Sequence, residues 1–381
     1  MRIIHTIPST YYESSGPSYS VTRLCESLQD QGHQVALAAL ALGTSSIKEQ
    51  KTFALGYGPE RLGRSPQMKR WLYQEALSKK VNVFHNHGMW HMSAIYPCMA
   101  AQKGRVALVT SPRGAFSDWA MQHGSKVKKM FWPLLQKPAL QQVTCFHATC
   151  EAEYDDIRRL GFKQPIAIIP NGVDLPPLRV KQHNPTRTLL FLGRLHRVKG
   201  IDRLLQAWHH LEKIFPEWQL VIAGSDEGPH GKSGYLDELQ AMATRLELKR
   251  VLFSGEQRGD EKLRCYQSAD LYILPSHSEN FAMTVAEALA SGIPVVASKG
   301  TPWSALVQKG AGWWIDVDVD SLVCCLENIF SLSPETLRVI GSIGRQWMEA
   351  DFAWARIGEK MSATYEWLIN PHHVRPDWIE I

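Results

Sequence analysis

Short apolar runs alternate with segments of helical length along the whole chain. In the first half the runs fall at residues 3–7, 35–39, 81–85, 106–111, 144–148 and 166–169. Runs this short, bounded by polar turns, read as strands buried on both faces, as in a parallel sheet. Residues 20–31 carry a helical repeat that Gly32 stops. A turn and a proline pair at 171–177 read as a linker. Beyond it the pattern restarts, with strands expected at 188–192, 219–223, 251–254, 271–274 and 295–297 and helices at 201–214, 236–246, 260–269 and 284–290. The alternation predicts an α/β chain of two Rossmann-like domains, 1–173 and 174–351, whose parallel sheets face across a central cleft. Residues 342–369 read as one more helical stretch carrying Trp347, Trp354 and Trp367, and 352–381 are expected to pack back on the first domain.

A length of 381 residues and 44% hydrophobic content suit two soluble domains. Seven cysteines without a CxxC pair or metal-ligand spacing read as buried thiols of a reducing compartment. The N-terminus reads as a first strand and not as a signal peptide, and no apolar run reaches the ~18 residues of a membrane span. A cytoplasmic location is therefore expected. Charge divides unevenly: residues 1–175 hold 20 Lys and Arg against 12 Asp and Glu, and the remainder 22 against 25. The basic half lacks any nucleic-acid motif, so an anionic membrane surface or a phosphate-bearing acceptor is the expected partner. Residues 126–135 mix lysines with bulky apolar side chains at near-helical spacing, interrupted by Pro133. They read as a membrane-surface segment or as a packed helix with a basic solvent face.

Two loops carry the chemistry. Arg194 and Lys199 follow strand 188–192 in a strand-to-helix loop, where a guanidinium and an ammonium can grip a diphosphate together. Glu279 lies just before the helix 284–290 and Glu287 about one turn inside it, so two carboxylates flank a helix N-terminus. N–H groups suit phosphate and carboxylates suit hydroxyls, which together point to a nucleotide-sugar. The loop through Ser15, Gly16, Pro17, Ser18 and Tyr19 holds one glycine and no GxGxxG, so a dinucleotide fingerprint is absent. It reads as a cover over the donor phosphate bordering the acceptor, or as an ordinary turn. His85, His87 and His91 suggest a metal set, but strand and helix placement separate them. Asp316, Asp318 and Asp320 imitate a metal-binding Asp-x-Asp, and their context instead reads as caps of the next helix. Arg113 is a further cleft candidate, with a salt-bridged structural arginine as the alternative.

Gly-Arg-Leu-x3-Lys-Gly at 193–200, together with Pro-Ser-x2-Glu-x7-Glu-Ala-x3-Gly-x-Pro-Val at 275–295, resembles a GT-B retaining glycosyltransferase of glycosyltransferase family 4. Ser111-Pro112-Arg113-Gly114, Trp119-Ala120, His147-Ala148-Thr149 and Ile169-Pro170-Asn171-Gly172-Val173-Asp174 are similar to segments of its bacterial surface-polysaccharide members. The resemblance implies an acceptor-binding first domain and a donor-binding second one. It implies that Arg194 and Lys199 hold the diphosphate, Glu287 the ribose and Glu279 the sugar hydroxyls. The N–H groups of Asn280, Phe281 and Ala282 would face the sugar or phosphate, Leu252 would flank the base, and Gly16 would approach the donor. His87 would meet a sugar hydroxyl, and Ser15, Pro17, Ser18, Tyr19 and Arg113 would border the acceptor. His87, Arg194, Lys199 and Glu279 are thereby the implied catalytic set. The family's glycines are replaced by Asn280 and Ala282, whose side chains are expected to enter the pocket, and its paired glycines by Gly16-Pro17. A UDP- or GDP-sugar donor is implied, with no metal or other cofactor. The implied acceptor is a glycan, polyprenyl-diphosphate-linked, in O-antigen, capsule or exopolysaccharide (lipopolysaccharide-type) synthesis, with peripheral contact at the inner face of the plasma membrane. A nucleotide-sugar epimerase or hydrolase, or a non-catalytic binding module, are the alternative readings.

Overall fold

The structure is a computed structural model that describes the chain except residues 11–15, 44, 123–125, 179–184, 229–230 and 371. The chain forms two compact units, Met1–Gly172 with Trp354–Ile381, and Val173–Ala353.

In the first unit seven strands run parallel: β1 (Arg2–Thr6), β2 (Gln34–Ala39), β3 (Glu49–Thr52), β4 (Val83–His87), β5 (Ala107–Ser111), β6 (Cys145–Ala148) and β7 (Ile166–Ile168). Their order is β3-β2-β1-β4-β5-β6-β7, and the strand Ile379–Glu380 adds antiparallel to β7. Apolar side chains cover both faces, with Phe84, Leu108 and Phe146 in one cluster and Ile3, Val83 and Val109 in the other. The helix Trp354–Ile369 belongs to this unit and packs on the helix Gly16–Asp30, where Ser27 Oγ donates to the Trp354 carbonyl at 2.7 Å.

The second unit holds β8 (Arg187–Leu192), β9 (Trp218–Ala223), β10 (Val251–Gly255), β11 (Leu271–Leu274), β12 (Val295–Ser298) and β13 (Gly312–Ile315). All are parallel, in the order β10-β9-β8-β11-β12-β13. Numbered within each unit, both sheets start 3-2-1-4. Strand order therefore reverses between β1 and β4 in one unit and between β8 and β11 in the other. At such a point the loops leaving two adjacent strands diverge to opposite faces and leave a crevice at the carboxyl edge.

Several elements differ from expectation for identifiable reasons. β4 runs two residues later than expected and ends on His87, because two histidines and an asparagine are accommodated inside the strand. β3 is a polar edge strand and offers no apolar run. The helix expected after the third strand runs Met92–Gly104, with His91 as its cap and not inside it; eight of its thirteen residues are buried, which erases any amphipathic period, and Pro97 lies inside it. Pro133 does not break its segment: a π-helical turn, Trp132–Gln136, absorbs it between helices Lys126–Phe131 and Lys137–Leu140. Among the described residues no helix is long and apolar enough to cross a membrane.

Candidate active site

In the second unit the two loops at the β8/β11 reversal are held against each other. After β8, Leu195 is buried and its N–H donates to the Ser225 carbonyl at 2.9 Å, which pins the loop. His196 then caps a short 3₁₀ turn, Arg197–Lys199, before Gly200 starts the next helix. After β11, the His277 N–H donates to the Val198 carbonyl at 2.7 Å, bonding loop to loop. Gly200 has φ +66°, and a Cβ there would lie 2.2 Å from the Pro275 carbonyl oxygen. Any larger residue would separate the loops.

That approach brings Lys199 Nζ onto Glu279 Oε1, with 17% and 12% of the two side chains exposed. Ser276 Oγ donates to the same carboxylate oxygen at 2.7 Å, and the Glu279 N–H donates to the Gly300 carbonyl at 2.8 Å. Glu287 has a different cation, Lys262 Nζ at 2.6 Å, and accepts from the Tyr266 hydroxyl at 2.9 Å. Burial, and then the adjacent carboxylate, push the Tyr266 phenol well above its ordinary range, so it stays a donor. Each candidate carboxylate is thus neutralised by its own lysine. Arg194 is exposed and pairs with no carboxylate among the described residues. Lys262 and Tyr266 went unnoticed in the sequence, although a spacing of four in a helical stretch put them on one face.

The helix Met283–Ala290 carries Glu287, and its cap is Ala282 at φ +62°, a left-handed conformation that costs a residue with a Cβ roughly 1 kcal/mol. Its methyl does not enter a pocket as expected: Ala282 is 9% exposed and packs in the unit's core. Phe281 is 6% exposed and packs on Trp303, while Asn280 is half-buried. The N–H groups of Phe281 and Ala282 donate to no acceptor among the described residues, as expected ahead of a helix. Leu252 is exposed on β10. Asp318 caps the helix Val319–Phe330, accepting from the Ser321 N–H at 2.8 Å, and Asp316 pairs with Lys299.

In the first unit the β1/β4 reversal holds a buried polar network. His147 Nε2 lies 2.8 Å from the Ile169 carbonyl, which can only accept, so this nitrogen carries the proton. Each further proton follows. Ser111 donates to His147 Nδ1 at 2.8 Å, His85 Nε2 donates to Ser111 at 2.7 Å, and the Tyr365 hydroxyl donates to His85 Nδ1 at 2.6 Å. A second chain starts at Arg113, which has donors only. Its Nε and Nη2 donate to His87 Nδ1 at 3.3 and 3.2 Å, so His87 Nε2 bears the proton and donates to His5 Nδ1 at 2.9 Å. Burial and the Arg113 charge hold His5 and His147 down at about 3, and His85 and His87 well below the ordinary histidine range. Arg113 forms no salt bridge among the described residues. Its other hydrogen bonds go to Ser20 Oγ at 2.9 Å and Asn171 Oδ1 at 3.0 Å, and burial lowers it to about 10.

The ring nitrogens of His5, His85 and His87 lie within 4.8 Å of one another, close enough for a metal ion. The assigned protons argue against that use, because every acceptor nitrogen in the trio already receives a hydrogen bond. His91 stands apart as the residue before the helix Met92–Gly104. Gly16 and Pro17 are exposed, Ser18 is buried, and Tyr19 is half-buried edge-on against Trp354. Ser15 lies outside the described residues. His5 and Tyr365 were missed. A polar residue in each of several apolar strand runs was the available signal for the network.

Residues 14–176 match the family model described as Glycosyltransferase Family 4, and residues 179–347 that described as Glycosyl transferases group 1. A relative from Mycolicibacterium gilvum, D-inositol 3-phosphate glycosyltransferase, is 32% identical over 312 residues, covering 76% of this chain and 67% of that protein. The chain spans between about half and two thirds of the length of the curated relatives bearing that name. Phosphatidyl-myo-inositol mannosyltransferase of Mycobacterium tuberculosis is 26% identical, covering 86% of this chain and 88% of that one. Among solved structures, Anabaena Alr3699/HepE in complex with UDP and glucose superposes with a TM-score of 0.76 at 17% identity, over 96% of this chain and 99% of that chain. At that identity the likeness speaks for the fold, which is GT-B.

Proposed function

The chain belongs to glycosyltransferase family 4, and from that membership we propose that it moves a sugar, with retention, from a nucleoside-diphosphate sugar to a hydroxyl of a glycan acceptor. The observation that carries this reading is the pair of neutralised carboxylates, Glu279 with Lys199 and Glu287 with Lys262, together with exposed Arg194 on the loop that carries Lys199. Neutralised acids can accept from sugar and ribose hydroxyls without repelling a phosphate, and Arg194 brings positive charge for the diphosphate. The Phe281 and Ala282 N–H groups add donors at the helix N-terminus. As the glycosidic bond lengthens, negative charge grows on the departing diphosphate, where Arg194 and Lys199 stabilise it. The acceptor hydroxyl then attacks from the same face and gives its proton to that phosphate. This reading involves no metal or other cofactor. The complexes of Alr3699/HepE with UDP and with UDP-glucose support a nucleotide-sugar donor.

A thermal-shift series with UDP, GDP and their sugars tests the reading. One base should stabilise the protein by about 3 kcal/mol at a hundredfold excess over Kd. Glu287→Ala should remove most of that gain, whereas Glu279→Gln should reduce the preference among sugars and leave the bare nucleotide bound. Equal responses from the two variants, or an inverted anomeric linkage in the product by NMR, would sink the assignment.

The reading extends to a polyprenyl-diphosphate-linked acceptor of surface-polysaccharide synthesis, met at an anionic membrane. Its support is the basic first unit and the exposed Val127, Met130 and Leu134 beside Lys128 and Lys129. Co-sedimentation with anionic vesicles should be lost on Lys128→Glu with Lys129→Glu. Retained binding at low salt would remove the membrane from the reading.

A further inference from the structure

Three residues beyond His87, the chain builds a small cavity that the transfer reaction as described leaves unused. It measures ≈190 Å³ and is lined by Trp90, Ala120, Met121, Lys128, Lys129 and Trp132. The two indoles stand 5.7 Å apart at 44°, and Lys128 Nζ lies 4.8 Å over the Trp90 ring. Burial lowers the Lys128 ammonium from its ordinary range.

The backbone around the cavity is unusual in two places. Trp90 sits at φ +70°, in the left-handed region that a bulky residue seldom occupies. It is held there by fully buried Gln136, whose Oε1 accepts from the Trp90 N–H at 3.0 Å. Gln136 itself ends the π-helical turn that begins at Trp132. Strained residues and π turns persist where the fold over-determines them, and they concentrate at ligand sites. Here both serve to set two tryptophans as walls.

What the cavity takes follows from its chemistry. Its walls are aromatic and aliphatic, and two ammonium groups stand at it. Of the sixteen exposed large apolar side chains among the described residues, four (Val127, Met130, Leu134 and Leu135) fall in the nine residues that also supply Lys128, Lys129 and Trp132. An aromatic cavity with two ammonium groups, on a stretch that also exposes four large apolar side chains, fits a hydrocarbon chain bearing a phosphate better than a free sugar or a bare anion.

We propose that the Trp90–Trp132 cavity is a subsite for a phosphorylated isoprenoid lipid, with Lys128 and Lys129 on the phosphate and the indoles and Met121 on the first hydrocarbon units. This rests on the acceptor half of the reading above and names where the lipid end of that acceptor seats. The loop that follows β4, which itself ends at His87, carries Trp90, so the cavity lies at the same edge of the first unit's sheet as His87.

The test is titration of the full chain with farnesyl phosphate, farnesol and inorganic phosphate, followed by calorimetry and indole fluorescence. Farnesyl phosphate should bind at least tenfold tighter than either other probe, about the worth of one charge-assisted hydrogen bond. Lys128→Gln with Lys129→Gln, which leaves the apolar packing in place, should erase that margin. Trp132→Ala should weaken farnesyl phosphate and farnesol alike. Equal binding of farnesyl phosphate and farnesol overturns the phosphate contact, and equal binding of farnesyl phosphate and inorganic phosphate overturns the hydrocarbon contact. An unaffected lysine double variant overturns the location. A nucleotide thermal shift measured on the same protein separates the two readings. If it persists while farnesyl phosphate fails, the lipid subsite alone is lost. If farnesyl phosphate binds and no nucleotide does, the transferase reading is lost.

Discussion

Lys199→Met will destabilise the second unit by about 3 kcal/mol and lower transfer by roughly 10²–10³-fold, and adding Glu279→Gln will restore most of the stability without restoring transfer. Both side chains of the pair are less than one fifth exposed. Removing the ammonium leaves a carboxylate whose remaining side-chain partner among the described residues is Ser276 Oγ. Burying an unpaired charge costs more than the pair itself gains, so the single variant suffers most. The double variant removes the stranded charge and keeps the shape, which separates the structural contribution from the chemical one. Urea midpoints and initial rates on the parent protein and the two variants read the two effects independently. If the double variant recovers transfer along with stability, Lys199 holds a loop and nothing more.

Acid will act mainly on the first unit. His5 and His147 are held at about 3, far below the ordinary 6.5. The unfolded chain therefore takes up protons below pH 6.5 that the folded unit refuses. The stability these groups contribute is complete above 6.5 and is lost as pH falls from 6.5 toward 3. Each costs about 1.4 kcal/mol between pH 7.5 and 5.5, or about 3 kcal/mol for the two, before ordinary carboxylates begin to titrate. His85, His87 and half-buried His91 act in the same direction. Arg113 opposes protonation from the loop after β5, while Tyr365 donates from the last long helix and leaves His85 Nδ1 no room for a proton. Urea melts at the two pH values should show the loss. His147→Gln should weaken the protein at neutral pH and flatten the acid response. An unchanged slope in that variant would mean the network does not set it.

The alternation of apolar runs was enough to read the fold class and most strands of the second unit. The reversal of strand order was not legible, because it depends on which side each crossover takes, and no local pattern records that. Lys199 and Glu279 stood out separately by spacing, yet their contact spans 80 residues and exists because β8 and β11 are neighbours. His87 was legible as a candidate, but its neighbours were not. His5, Ser111 and His147 each look like an incidental polar residue in or at the end of an apolar strand, and they converge once parallel strands bring them side by side. The left-handed Trp90 and Ala282 were equally hidden, since neither residue type signals that conformation.

The absence of a side chain at Gly200 has a mechanical consequence. With its α-carbon seated on the Pro275 carbonyl and Val198 bonded to His277, the lysine loop and the glutamate loop are one rigid jaw. A ligand arriving there finds the jaw already set, and little ordering entropy is left to charge against its affinity.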